Sequence, residues 1–157
     1  MRIIWPTGLL LLLIIASSCR TTSKPAAIDL SGPDWKTRQG QALWRSKKDA
    51  PEIAGEVIVG TNSTGRAFLQ FLKNPLPLVT AENSSDRWSI EFIPEHQSFS
   101  GAATPPVQLT WLHLLRALQQ IKPPKRFTFT KTDAGEIQIQ DNVTEERITL
   151  ILERTNR

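Results

Sequence analysis

From Trp35 onward, apolar residues recur mainly at every second position. Ile53, Val57 and Val59 share one face of a strand, with Ala54, Glu56 and Ile58 on the other. Asn62-Ser63-Thr64-Gly65 is a turn cluster, and Arg66 to Leu72 then sets Ala67, Leu69 and Phe71 against Phe68, Gln70 and Leu72. Asn83-Ser84-Ser85-Asp86 marks another turn, before Trp88, Ile90 and Phe92 alternate with Arg87, Ser89 and Glu91. Phe127/Phe129, Ile137/Ile139 after Asp133-Ala134-Gly135, and Ile148/Leu150/Leu152 complete the series. Short alternating runs separated by turn residues predict an antiparallel meander.

One segment changes period. Between Pro105-Pro106 and Pro123-Pro124, Trp111, Leu114, Leu115 and Leu118 repeat at helical spacing, with His113, Arg116, Gln119 and Gln120 on the other side. Prolines suit a helix start and stop its continuation, so this is an amphipathic helix with defined ends. The expected fold is mainly β with α (α+β): a curved antiparallel sheet forming an open half-barrel with a helix packed on it. Two strands, Ile53 to Gly60 and Ala67 to Leu72, are apolar on both faces, which one solvated sheet face does not require. Either the helix covers one side and a loop the other, or the concave side holds something apolar.

The first residues carry a different pattern. Met1-Arg2 precedes an uncharged Leu/Ile run from Gly8 to Ile15, and Ala16-Ser17-Ser18 leads into Cys19. This is the layout of an export signal. The apolar stretch from Ile3 to Ala16 falls short of the ~20 residues of a bilayer crossing, so a permanent span is the weaker reading. Residues 1–18 are expected to be the signal, 19–34 a polar tether containing Ser31-Gly32-Pro33, and 35–157 the folded domain.

Composition narrows the functions. The chain has 157 residues, 39% hydrophobic and 22% charged, enough for one domain with a core. A single Cys excludes an internal disulfide, and two His beside it leave little for a metal site. Removing Arg2 with the signal lowers the formal charge from +4 to +3, which gives no support to nucleic-acid binding. There is no Gly-x-Ser-x-Gly, phosphate loop or His-Glu-x-x-His, so no catalytic residue, metal or cofactor is expected. His96, His113, Glu145-Glu146 and the Lys122/Lys125/Arg126 cluster read as solvated side chains.

Two resemblances give these patterns a direction. Ile15-Ala16-Ser17-Ser18-Cys19 resembles the lipobox of bacterial lipoproteins, with Ala16 where Leu is more usual. It implies cleavage before Cys19, lipidation of Cys19, and attachment to membrane lipid. Arg20, rather than Asp, implies sorting to the periplasmic face of the outer membrane. Trp35-Lys36-Thr37-Arg38-Gln39-Gly40-Gln41-Ala42, Phe68-Leu69-Gln70-Phe71-Leu72-Lys73-Asn74-Pro75-Leu76 and Pro106-Val107-Gln108-Leu109-Thr110-Trp111-Leu112 are similar to the LolB family of outer-membrane lipoprotein receptors. Pro77 stands where that family has a loop glycine. The resemblance implies a receptor that accepts lipoprotein acyl chains from a periplasmic LolA-like carrier, with Leu76 inserting into the membrane. Trp88, Ile90, Phe92, Leu115, Phe127 and Phe129 are the expected cavity liners. The alternative is a structural envelope lipoprotein that docks onto a protein assembly; an open cavity would favour the receptor and a filled core the structural component.

Overall fold

The structure, a computed structural model, describes residues 30–153; the expected signal and Cys19 lie outside them. Nine strands form one antiparallel sheet: β1 (Trp35–Arg45), β2 (Ile53–Asn62), β3 (Ala67–Lys73), β4 (Leu76–Asn83), β5 (Arg87–Phe92), β6 (Gln97–Ala102), β7 (Phe127–Lys131), β8 (Glu136–Asp141) and β9 (Arg147–Leu152). Their spatial order is β6-β5-β4-β3-β2-β1-β9-β8-β7, so the sheet is not closed and β6 and β7 are its edges. The helix α1 (Thr110–Leu118) lies in sequence between those two edge strands.

Ladder register decides which side chains share a face. Trp88 pairs with Asn83, Ile90 with Ala81, Phe92 with Val79, and Leu69 with both Ala81 and Val59. Across the other half, Ile148 pairs with Trp44 and Ile139, and Phe129 with Ile139. Apart from Asn83, these residues line one continuous apolar face and, with Trp111, Leu112, Leu114 and Leu115 of α1, form one hydrophobic cluster. Adjacent pairs on one face are the stabilising unit of such a sheet.

The same register puts loops at opposite ends. The β1–β2 loop and the β3–β4, β5–β6 and β8–β9 hairpins share one end, where α1 also begins. The β2–β3, β4–β5 and β7–β8 turns share the other, where the described chain enters and leaves.

Local chemistry fixes these turns. Asn62 Oδ1 accepts from the amides of Thr64 and Arg66, while Gly65 takes a φ of 79° that other residues rarely adopt. At Gly55 a Cβ would lie 2.2 Å from the Leu72 carbonyl oxygen and 2.7 Å from the Phe71 ring. That bare position on β2 lets Trp44 from β1 and Phe71 from β3 meet edge to face at 6.3 Å.

The second apolar face of β2 and β3 has its own cover. Gly60 and Phe68 are cross-strand partners, and the side chains of Trp35 and Leu30 lie against Gly60. Leu30 to Asp34, expected as tether, therefore begins the folded part, with the Trp35 amide bonded to the Gly32 carbonyl. Strand β1 matches no alternating run named from the sequence, and neither do β4 and β6. A Pro at position 77 and a polar Gln97-Ser98-Phe99-Ser100-Gly101-Ala102 run conceal the last two.

Candidate functional site: the apolar face beneath the helix

Trp88, Ile90, Phe92, Phe127 and Phe129 all belong to the face that meets α1, and Leu115 projects from α1 into the same cluster. Trp88, Ile90, Leu115 and Phe127 are buried, and Phe92 and Phe129 are half-buried. What covers them is the protein itself. Trp111 stacks on Phe71 with ring centroids 5.2 Å apart and meets Trp44 edge-on at 5.7 Å. Such aromatic pairs contribute about 0.5–1.5 kcal/mol each beyond the area they bury.

Three polar ties hold α1 in this seat. At its start, Thr110 donates its hydroxyl to Glu146, whose other carboxylate oxygen accepts from Trp44 Nε1 at 2.8 Å. One turn on, His113 Nε2 lies 3.1 Å from the Pro106 carbonyl oxygen, and its ring tilts over Phe127 at 4.7 Å. Past its end, Gln119 accepts from Asn83 at 2.8 Å and donates to the Gly65 carbonyl at 2.7 Å.

These contacts revise several expectations. His113 is 1% exposed rather than solvated, because α1 is buried from Thr110 through Leu115 and has little outward face in its first turn and a half. Burial pushes its pKa down, opposed by the Pro106 carbonyl. Glu146 is a bridging carboxylate rather than a surface charge; burial raises its pKa, and the bonds from Thr110 and Trp44 oppose that. Arg126 is not a free cation either. Its Nε and Nη2 donate to the two oxygens of Asp141 at 2.7 and 2.5 Å, while the Val143 amide and Thr144 hydroxyl complete the carboxylate's partners at 2.9 Å. Burial raises the Asp141 pKa, but these donors outweigh it and bring it down to about 2.

The interior also holds polar atoms with no partner. Trp88 Nε1, Trp111 Nε1 and Asn83 Oδ1 are buried and make no hydrogen bond. An unpaired buried donor costs about 1–3 kcal/mol, so these indoles weaken the closed packing they belong to.

At the chain-entry end, Arg66, Glu82, Asn83, Ser84, Arg87 and Trp88 border a depression of ≈ 30 Å³. That is room for about one water, not for an acyl chain. Among the described residues no group of three or more His, Cys, Asp or Glu could hold a metal, and no helix is long and apolar enough to cross a membrane. Leu76 opens β4 at the tip of the β3–β4 hairpin and is 65% exposed.

No protein-family model matches the chain, and no curated protein matches it. The functional reading therefore stands on the residues themselves.

Proposed function

We propose that the chain is a lipid-anchored receptor of the outer membrane that shelters lipoprotein acyl chains on its apolar sheet face, in exchange for α1. The observation that carries this reading is the continuous apolar face from Trp88 on β5 to Phe127 on β7, covered by one nine-residue helix. Curvature of the sheet into a half-barrel belongs to the proposal. It is supported by the reach of α1, which touches β3, β4 and β8. In a flat sheet β4 and β8 would lie about 24 Å apart, wider than a helix with its side chains.

Energetically the exchange is balanced. Withdrawing Trp111, Leu112, Leu114 and Leu115 forfeits about 6–12 kcal/mol at about 1.5–3 kcal/mol per buried side chain. An acyl chain of about sixteen carbons recovers about 12 kcal/mol at about 0.8 kcal/mol per methylene. Trp88 and Trp111 would supply indole N–H groups for the ester carbonyls of such a ligand. Leu76, held out on its hairpin, would enter the leaflet that receives the cargo, and a periplasmic LolA-like carrier would deliver it. No catalytic step is involved.

The packing of Trp111, Leu112, Leu114 and Leu115 with the sheet face favours a second reading, a structural envelope lipoprotein that docks onto an assembly without transferring ligand. The edge strand β6 offers it a surface, since Gln97–Ala102 carries no charged residue to discourage strand addition. Native mass spectrometry of the full chain isolated from membranes separates the two. The receptor retains a non-covalent acyl ligand besides the mass of lipidated Cys19; a chain that is lipidated yet never co-purifies with ligand is the structural component.

A further inference from the structure

Among the described residues, two large hydrophobic side chains are more than 60% exposed: Leu76 at 65% and Val143 at 71%. They sit at the same end of the sheet, on the β3–β4 and β8–β9 hairpins. We infer that Val143 is a second point of membrane contact, which with Leu76 sets this end of the sheet against a phospholipid bilayer. The inference rests on the lipid-anchored reading proposed above.

Val143 is held out by construction. The buried Asp141 accepts from the Val143 amide and the Thr144 hydroxyl, and Arg126 clamps the same carboxylate. Lys48 ties the hairpin to the β1–β2 loop, through its amide to the Thr144 carbonyl at 3.2 Å and its ammonium to Glu145 at 3.5 Å. A turn so fixed cannot fold its apolar tip back onto the domain. In water that exposure is unproductive; in a leaflet it is not.

The surroundings suit phospholipid. Four strand steps separate the two hairpins, about 19 Å along the sheet. Between them lies the β1–β2 loop with exposed Lys47 and Lys48 and two acidic residues, Asp49 and Glu52, the latter paired with Arg147; Lys73 flanks Leu76. Exposed lysines close to an anionic surface contribute about 1 kcal/mol each, but Asp49, Glu52 and the Lys48–Glu145 pair offset that here, so the two apolar tips carry the contact. The anchor permits this pose although the described chain starts at the far end. Cys19 to Leu30 can extend at most about 40 Å, against about 37 Å for β1.

The test uses the full chain on vesicles of phosphatidylethanolamine and phosphatidylglycerol, without cargo. Single cysteines at Val143→Cys, Leu76→Cys and, at the opposite end, Asp133→Cys carry an environment-sensitive fluorophore, with the unsubstituted chain labelled in parallel to subtract signal from Cys19. The expected result is blue-shifted emission and several-fold stronger quenching by doxyl lipids at 143 and 76 than at 133. A probe at 143 that stays as solvated as the one at 133 overturns the inference, whatever 76 does. Immersion of 143 in a protein that never binds acyl ligand would instead leave the contact standing and remove the receptor reading.

Discussion

Trp111 of α1 lies over Phe71 of β3 with the two ring planes 27° apart. Trp44 of β1 meets both rings edge-on, so three aromatic side chains from three elements close over β2. Phe71 keeps its place in this trio because residue 55 has no side chain: a Cβ there would come within 2.7 Å of its ring. Gly55→Ala should therefore destabilise the fold by about 1–3 kcal/mol, the usual range for overpacking, read as a lower denaturant midpoint. Unchanged stability would mean that the trio does not depend on this gap.

Asp141 is the carboxylate most strongly committed to the fold. Its pKa lies below the unfolded value of 3.8, at about 2, so its stabilisation is complete above about pH 4 and fades as pH falls through 2. Asp141→Asn should lose about 2–3 kcal/mol at pH 7 and flatten the acid limb of the stability profile between pH 4 and 2. Denaturant unfolding across that range measures both effects.

Glu146 has the opposite sign. Because burial raises its pKa in the folded state, its favourable contribution is complete below the ordinary carboxylate range and is lost as pH rises through the raised value. Glu146→Gln keeps an acceptor and removes the buried charge. The variant should match or exceed the parent in stability at pH 7 and show no fall in that window, as followed by thermal unfolding at several pH values.

Leu76→Glu leaves the core untouched, since the side chain is 65% exposed, and should change stability by less than about 0.5 kcal/mol. Release of bound acyl cargo into vesicles should nonetheless fall several-fold. Equal transfer by the two proteins would relieve the β3–β4 hairpin of that role.

Alternation revealed the strands whose inward positions are all large, such as Ile137/Ile139 and Ile148/Leu150/Leu152. It could not reveal β4, where Ala81 and Asn83 face the core and Pro77 interrupts, or β6, whose inward positions include Gly101 beneath the Trp88 ring. The helix stripe held, but sorting by polarity misplaced His113. A helix covered on several sides buries polar residues too, provided each finds a partner such as the Pro106 carbonyl. Glu146 and Arg126 likewise looked like surface charges, because their partners Thr110, Trp44 and Asp141 are distant in sequence. Val143 belongs to no alternating run, so nothing in the sequence marks it as exposed.

The central claim is that α1 and an acyl chain compete for one apolar face. Hydrogen exchange on the full chain, with and without a diacylated lipopeptide, addresses it directly. Competition predicts that amides of Thr110–Leu118 lose protection with ligand while those of β2, β3, β8 and β9 keep theirs. Undiminished protection of α1 at ligand concentrations that saturate binding, or no binding at all, would contradict it.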